Sequence, residues 1–457
     1  MSPIDCEILV IGAGATGLTC GYALHRQGCD VRVVDEADEA GGVIRSERVE
    51  GYLLERGPNS TLNTSRRVER WLDEIGALAA KCPAPAAATR RYILRGDRLH
   101  PLPTGPLSFL RTPVWRMRGK LRAMAEPFIP ARRGHGEESI ADFVRRRLGQ
   151  ELLDYALDPF VSGVYAGDPE KISISAAFPL MEGFERDHGS LIKGALMTAK
   201  RRKADPDRPA DRTLYSFRAG MQQPMHAAAA ALGELLHVGH GVRTVVATDR
   251  RFRIETEGET FTARQLVCAT SARAAGAILT SIVPEAAALL SAIEHNPVAQ
   301  VYLGYHREAI GHPLDGFGAL FPSKEGRLTL GSLWSSTLFP GRAPEGCCLL
   351  TNFAGGARHR SIRDMPTEAI QARVIAELTP LLGLQGEPAF CEVHRIPDAI
   401  PHYTLGHGHR VAQILAAAAT IPGLHLTGNY LQGVSVADCW KRGLALAEDL
   451  ATETAHR

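Results

Sequence analysis

The chain has 457 residues, 45 of them glycine, is 45% hydrophobic and 22% charged, and sets 52 Lys and Arg against 50 Asp and Glu for a formal net charge of +2. This composition excludes a disordered or collagen-like chain, the length suits two or three domains, and the charge balance gives no global pull toward nucleic acid. Nine cysteines lie scattered without a C-x-x-C pair. They read as small buried hydrophobes in a reducing, cytoplasmic compartment, not as a zinc ribbon or thiol-redox site. The N-terminal run lacks the basic region of a secretory leader. No stretch reaches the roughly 18–20 apolar residues of a membrane span, so membrane contact is expected only at a surface.

In chain order, residues 7–11 read as a buried parallel strand ending at Gly12, residues 18–27 as a helix stopped by Gly28, and Val31–Val34 as a second strand ending on Asp35 and Glu36. Strand, glycine turn, helix and strand open a doubly wound sheet. Residues 66–80 are expected to be helical. From about residue 99 to 210 the strand signal gives way to helical text punctuated by proline, ending in a charged run at 200–212 that predicts a mobile surface loop. Strands return at 241–246, Phe252–Thr256 and 265–269, then around 298–305, 327–333 and 347–353; a strand at 423–428 and a helix from about 438 to 450 close the chain. No internal repeat is present. The expected architecture is one sheet assembled from distant segments, a helical insertion, and a second sheet-containing lobe.

Gly12, Ala13, Gly14, Ala15, Thr16 and Gly17 spell G-x-G-x-x-G after a strand and at the start of a helix. The glycines permit a tight turn and let backbone N–H groups approach a pyrophosphate at the helix N-terminus. Asp35, at the end of the second strand, can accept hydrogen bonds from a ribose. Gly41 and Gly42, and the turn through Gly57, Pro58, Asn59 and Ser60, add close-approach segments that suit a long, extended FAD better than NAD. A second such fingerprint is absent from the sequence, which favours an oxidase over a reductase fed by NAD(P)H.

With Gly428-Asn429 and the run from Gly433 to Cys439, these motifs resemble the FAD-dependent amine oxidase superfamily. The run from Asp158 to Pro169, with Ala176-Ala177-Phe178-Pro179 and His188-Gly189-Ser190-Leu191-Ile192, is more narrowly similar to the oxygen-dependent protoporphyrinogen oxidases. Arg91-Tyr92 and residues 338–344 and 400–403 fit the same pattern, in order along the whole chain. The resemblance implies an α/β fold with α+β lobes: a Rossmann-like FAD-binding domain of the amine oxidase/p-hydroxybenzoate hydroxylase type, a sheet-containing substrate domain and a helical insertion. It places the FAD domain at 1–80, 214–285 and 415–457, the substrate domain at 81–98 and 286–414, and a helical, membrane-associating domain at 99–213.

The resemblance also implies non-covalent FAD, held by residues 12–17, Asp35, Glu36, Gly42, Val43, Gly57, Pro58, Asn59, Ser60, Val242, Val434, Ser435 and Val436. It implies six-electron oxidation of protoporphyrinogen IX to protoporphyrin IX, with oxygen as acceptor and hydrogen peroxide released, at the penultimate step of haem biosynthesis. Arg91 would face a substrate propionate, Leu320, Leu333 and Phe353 would wall the macrocycle, and the Gly167 carbonyl would lie near it. Read without the family, Arg91 is a surface arginine in an arginine-rich run and the three apolar residues are core. Glu39 departs from the pattern, since family members often carry arginine there. No catalytic acid–base pair and no metal site emerge, which suits a reaction whose hydride goes to the flavin; the pair His407 and His409 lacks further ligands.

Coproporphyrinogen III, with four propionates, is the nearest alternative substrate. Another flavin amine oxidase or desaturase, or a flavin scaffold without turnover, remain the broader alternatives. Val114, Met117, Leu121, Met124 and Phe128 recur on one helix face, with Arg116, Arg118, Lys120 and Arg122 off it. That pattern fits either a helix lying on an anionic bilayer, at the cytoplasmic face of the inner membrane and near other haem-pathway enzymes, or a core-facing helix with a solvated basic side. A homodimer is left open.

Overall fold

The computed structural model describes residues 3–132, 134, 136–202, 205–248 and 251–455. Its first sheet has seven strands, in the order Leu236–His237, Val31–Val34, Ile4–Ile11, Thr260–Cys268, Phe252–Thr256 and Val242–Ala247, with Leu424–Leu426 also pairing with Thr260–Cys268. Ile8, Leu9, Val10 and Ile11 are all buried because helices cover both faces. On one side lie Ala15–Arg26 and Val436–Ala455; on the other lie Ala272–Leu279, Pro284–Ser291 and His407–Ala418. A Cβ on Gly443 would come within 2.5 Å of the Thr16 carbonyl oxygen, so glycine allows the last helix to lie directly against the first.

The second sheet also has seven strands: Phe390–Pro401, His295–His306, Cys347–Gly355, Thr329–Trp334, Gly318–Leu320, Arg91–Arg95 and Arg98–Pro101. One face, carrying Tyr92, Leu94, Val301, Leu303, Ala319, Trp334 and Leu350, packs on the helix Thr367–Leu382. Four of these strands escaped the sequence reading, Arg91–Arg95 among them. Phe390–Pro401 contains Pro397 and Pro401 and no fully apolar run, which its place at the sheet edge tolerates. Gly318–Leu320 is only three residues long, and Arg98–Pro101 lies at the start of the stretch expected to be helical.

Between the two sheets in sequence come the helices Pro106–Arg111, Met117–Met124, Ile140–Arg147, Asp158–Tyr165, Pro179–His188 and Leu191–Arg202. Arg147 is fully buried among them, ion-paired to Glu126 and Glu185 and donating to the carbonyls of Ile129 (2.9 Å) and Gly189 (3.0 Å). Glu126 in turn accepts from Ser190 Oγ and the Leu191 N–H, which fastens the turn before the last helix.

Two expectations are corrected. The segment 66–80 is a helix only over Arg66–Glu74; Gly76, at φ +73°, ends it before a short 3-10 turn. The run 200–212 is helical to Arg202, Lys203 and Ala204 lie outside the described residues, and the remainder is tied down. Asp207 accepts the N–H groups of Arg66 and Arg67 at a helix N-terminus, and Asn63 donates to Asp211. No described helix is long and apolar enough to cross a membrane.

The basic helix differs from the core-facing reading. Met117, Leu121, Met124 and Phe128 are exposed, Phe128 by 86%, whereas Lys120 is buried and donates to the carbonyls of Leu110 and Thr112, both at 2.7 Å. Arg122 donates to the carbonyls of Arg146 and Arg147. Two of the cations face inward, most of the stripe faces outward, and only Val114 is core.

A buried ion pair joins three segments. Glu55 of the strand Tyr52–Glu55 meets Arg342, and each is at most 3% exposed. Glu55 also accepts from Ser46 Oγ (2.6 Å) and the Met221 N–H (2.9 Å), while Arg342 donates to Ser216 Oγ. Burial raises the Glu55 pKa, opposed by Arg342. Removing the guanidinium leaves that carboxylate uncompensated. Arg342→Ala should therefore cost about 3–5 kcal/mol of stability in urea unfolding followed by circular dichroism; a change under about 1 kcal/mol, the size of a surface pair, would refute the pair's structural role.

Candidate flavin and substrate site

The glycine turn shows which positions serve the fold and which face a ligand. A Cβ on Gly12 (φ +108°) would meet the Ala269 carbonyl at 2.9 Å, and one on Gly17 would stand 1.8 Å from the Gly12 oxygen. Around Gly14, the N-cap of Ala15–Arg26, nothing lies within 4 Å of such an atom. The helix carries no acidic residue in its first turn. An open glycine at a helix N-terminus is a surface on which a pyrophosphate can rest.

Gly41 donates to the Ala13 carbonyl at 2.8 Å, and Gly42 packs on the Gly14 Cα. Next to them Val43 is 68% exposed, an apolar side chain standing in the open. Gly57 lies against the Val43 carbonyl, where a Cβ would be 2.2 Å away, so the turn of Gly57, Pro58, Asn59 and Ser60 adjoins the glycine pair. Asp35 has both carboxylate oxygens on backbone N–H groups, Oδ2 on Ala13 at 2.5 Å and Oδ1 on Ala37 at 2.9 Å. It therefore shapes the turn, with a second lone pair on each oxygen left for a ribose. Glu36 is exposed and adjoins Gly241, the residue before the half-buried Val242. Glu39 pairs with His226 at 2.7 Å, so the position that is arginine in the family pattern is negative here and has its own partner.

At the C-terminal side, Ser435 caps the helix Val436–Ala455, accepting the Asp438 N–H at 3.1 Å. Val434 packs against the apolar cluster that holds Tyr165, Ile172 and Tyr403, whereas Val436 belongs to the core of the first sheet. Residues 434–436 thus bridge the helical stretch and the dinucleotide-type sheet.

The second sheet contributes one face through its register. Arg91 pairs with Gly318, Gly318 with Leu333, and Leu333 with Thr351; two residues along, Ile93 pairs with Leu320, Leu320 with Gly331, and Gly331 with Phe353. Paired residues and their i+2 neighbours share a face. Arg91, Leu320, Leu333 and Phe353 therefore project from the same side, separated by Gly318 and Gly331. Glycine gaps bordered by Leu and Phe make a flat, apolar floor. The three apolar residues are half-buried, whereas their neighbours on the opposite face are core, so the core reading does not hold for them.

Arg91 is exposed, as the surface reading has it, yet it differs from its neighbours in its partners. Arg90 is ion-paired with Asp315 and Arg95 with Glu151 (2.8 Å), but among the described residues no carboxylate pairs with Arg91. Its guanidinium stands 5.0 Å from the Phe317 ring centre, and burial alone lowers its pKa from the usual arginine value. A solvent-reachable cation crowded by protein and lacking a counter-ion suits an anionic ligand.

Gly167 follows Ala166, which has the left-handed φ of +47° and ends the helix Asp158–Tyr165. The Ala166 carbonyl accepts the Ala357 N–H at 2.8 Å, and Ala166 shares an apolar cluster with Phe353. Asp158 is held by Arg358 and by Ser323 (N–H 2.9 Å, Oγ 2.8 Å). His402 lies beside Gly167, and burial depresses its pKa. Of the pair His407 and His409, His407 is buried and stacked on Tyr403 at 4.3 Å while His409 is exposed.

Two residues that the sequence reading missed join the floor to the flavin-side turn. Gln300 pairs with Phe353 across the sheet and donates to the Gly57 carbonyl at 3.0 Å; Tyr302 donates to the Glu55 carbonyl at 2.7 Å. A Gln inside the apolar strand His295–His306 was the available signal. The structure brings together Val43, residues 57–60, Gln300 and Phe353. Asp35, Glu36 and Val242 form a separate group around Gly241.

An open glycine turn on a doubly wound sheet, with the nearby turn of residues 57–60 bonded through Gln300 to the second sheet, fits a dinucleotide-dependent oxidoreductase. The chain belongs to the flavin-containing amine oxidoreductase family, whose signature matches residues 15–451, and its cofactor is FAD. It is 30% identical to the mitochondrial protoporphyrinogen oxidase of Nicotiana tabacum, over 97% of this chain and 94% of the relative. It is 26% identical to coproporphyrinogen III oxidase of Bacillus subtilis (strain 168), over 99% of both. A solved structure from Exiguobacterium sp. 255-15 shares the fold with a TM-score of 0.82 at 22% identity, covering 99% of this chain and 100% of that one.

The glycine geometry separates binding from folding. Gly14→Ala has room for its Cβ and should leave the unfolding midpoint of the FAD-free protein unchanged while weakening FAD at least tenfold, about 1.4 kcal/mol, in flavin-fluorescence titration. Unchanged affinity would remove Gly14 from the contact surface.

Proposed function

We propose that this chain oxidises a porphyrinogen to the porphyrin in three two-electron steps, with oxygen as the final acceptor and hydrogen peroxide released. The observation that carries the reading is the single sheet face holding an unpaired arginine beside a flat apolar floor. A cyclic tetrapyrrole with carboxylate side chains has that shape and charge, and relatives named for two porphyrinogens support the class. Bound FAD supplies the two-electron acceptor. This chain's residues do the rest: Arg91 holds a propionate through its planar fork, Leu320, Leu333 and Phe353 exclude water from the ring, and the Gly167 segment closes the side opposite Arg91. FAD is held without a covalent link by the turns of residues 12–17, 41–43, 57–60 and 434–436, with Asp35, Glu36 and Val242 toward the adenosine. The division of labour assigns 1–80, 214–285 and 415–457 to the flavin, 81–98 and 286–414 to the substrate, and 99–213 to the helical domain.

Between the substrates we favour protoporphyrinogen IX, because a sheet face with a single arginine, Arg91, that lacks a carboxylate partner among the described residues serves a molecule with two propionates better than one with four. Arg91→Ala should lower kcat/KM roughly 10- to 150-fold, from the ~1.5–3 kcal/mol of a hydrogen bond to a charged group, and Arg91→Lys should be intermediate. FAD content should not change. The measurement is growth of porphyrin fluorescence with protoporphyrinogen IX and coproporphyrinogen III side by side. Parental kinetics in Arg91→Ala would remove the propionate role, and a parent that prefers coproporphyrinogen III would transfer the assignment to that substrate.

The outward stripe supports peripheral attachment to an anionic bilayer, where a poorly soluble tetrapyrrole is handed over. Met117, Leu121, Met124 and Phe128 would enter the acyl boundary, while Arg116 and Arg118 meet headgroups. Leu121→Gln with Phe128→Gln should lower co-sedimentation with phosphatidylglycerol vesicles at least tenfold, and salt should weaken the parent's binding. Equal partitioning of variant and parent would rule the stripe out.

A further inference from the structure

We propose that His237, His240 and Glu259 form a binding site for a divalent first-row cation of the zinc class. The three side chains come from two turns of the first sheet. His237 ends the strand Leu236–His237, His240 lies in the turn that follows, and Glu259 immediately precedes the strand Thr260–Cys268. One ligand atom from each lies within 4.8 Å of the other two.

The donor geometry is one that a cation can enter. His240 Nδ1 lies 2.7 Å from the Val238 carbonyl oxygen, which can only accept, so the ring proton sits on Nδ1 and Nε2 presents a lone pair. That Nε2 faces Glu259 Oε2 at 3.4 Å, so both atoms point into the same space. The same oxygen also lies 2.8 Å from His237 Nδ1, so one carboxylate oxygen is shared by both imidazoles, and His237 Nε2 is buried without a partner among the described residues.

Zinc takes imidazole and carboxylate ligands at about 2.0–2.2 Å, so tetrahedral ligand atoms stand roughly 3.3–3.6 Å apart. The His240–Glu259 separation already has that value, and the His237 contact needs to open by about half an ångström to reach the lower end of the range. A carbonyl holding the other nitrogen of a ligating histidine is the usual outer support of such a site. Two imidazoles and one carboxylate suit zinc among divalent metals and leave a fourth position for water.

The surroundings are negative. Asp38 adjoins Gly239, and Glu36 and Glu257 adjoin Gly241; the nearby cations Arg32 and Arg243 are paired with Asp30 (2.8 Å) and Glu257 (3.6 Å). Glycine keeps the site open, since a Cβ on Gly258 would stand 2.8 Å from His240 Nε2. A cation here would brace the end of the second strand. The Asp35 N–H donates to the His237 carbonyl (3.0 Å) and the His240 N–H to the Asp35 carbonyl (2.7 Å), so the clamped turn also shapes the loop that carries Asp35.

The test uses tag-free, full-length protein stripped with a chelator and then titrated with zinc sulfate by calorimetry, with cobalt(II) as a spectroscopic probe. The parent should take up one zinc per chain. Cobalt should give the visible absorption of a four-coordinate nitrogen–oxygen site. His240→Gln and Gly258→Ala should each weaken zinc at least tenfold and lose the cobalt band, with circular dichroism unchanged. Equal zinc uptake by parent and His240→Gln, or a cobalt spectrum no different from the aqueous ion in the parent, would overturn the proposal. Flavin content plays no part in the readout, so the result stands apart from the porphyrinogen assignment.

Discussion

The strand register of the second sheet decides what the site can be. Arg91, Gly318, Leu333 and Thr351 lie in one cross-strand row, and Ile93, Leu320, Gly331, Phe353 and Gln300 lie in the next. A slip of one residue in any strand would turn its members toward the helix Thr367–Leu382 and bring Tyr92, Ala319, Ser332 or Asn352 to the site face. The register is locked because the opposite face is a buried, mostly apolar core that also takes in Ser332 and Asn352, so an error on one side carries a penalty on the other. Burial on one face thus sets the chemistry presented on the other.

That face is also fastened to the flavin-side turns. Gln300 and Tyr302 bond the carbonyls of Gly57 and Glu55, and Arg56 stands over the Tyr302 ring while pairing with Glu392 of the edge strand. Glu55 is anchored in turn by Arg342 and Ser46. The sheet face and the turn of residues 55–60 are therefore one hydrogen-bonded unit, as the proposed redox site would need to keep ring and acceptor at a fixed separation. On the far side, the left-handed Ala166 and the Asp158–Arg358 pair hold the Gly167 segment against the same sheet.

Much of this was legible in the sequence where a local pattern carries its own geometry. The glycine turn, the first strands and the last helix follow from apolar periodicity and from glycines that only a tight turn explains. The run 158–169 marked its segment because of its likeness to a family, not because of any periodicity. What remained hidden depends on pairing across long separations. Arg91 gains meaning only when Asp315 and Glu151 take up its neighbours Arg90 and Arg95, and Gln300 only when Gly57 is brought to it. The strand Phe390–Pro401 was masked by prolines that an edge position tolerates. The basic helix could not be oriented from its own residues, because the acceptors that draw Lys120 inward are carbonyls of Leu110 and Thr112, outside the helix. His237, His240 and Glu259 converge only through strand pairing, since the sequence separates the pair of histidines from the glutamate.

The central claim is that the face bearing Arg91 presents a porphyrinogen to FAD. The most direct measurement mixes the FAD-loaded protein anaerobically with protoporphyrinogen IX, coproporphyrinogen III or a primary amine, and follows the visible flavin absorbance. The account predicts bleaching by porphyrinogen, porphyrin absorbance rising in step, no response to the amine, and recovery of the flavin when oxygen is admitted. Flavin that stays oxidised with both porphyrinogens, or that is bleached by the amine, would contradict it.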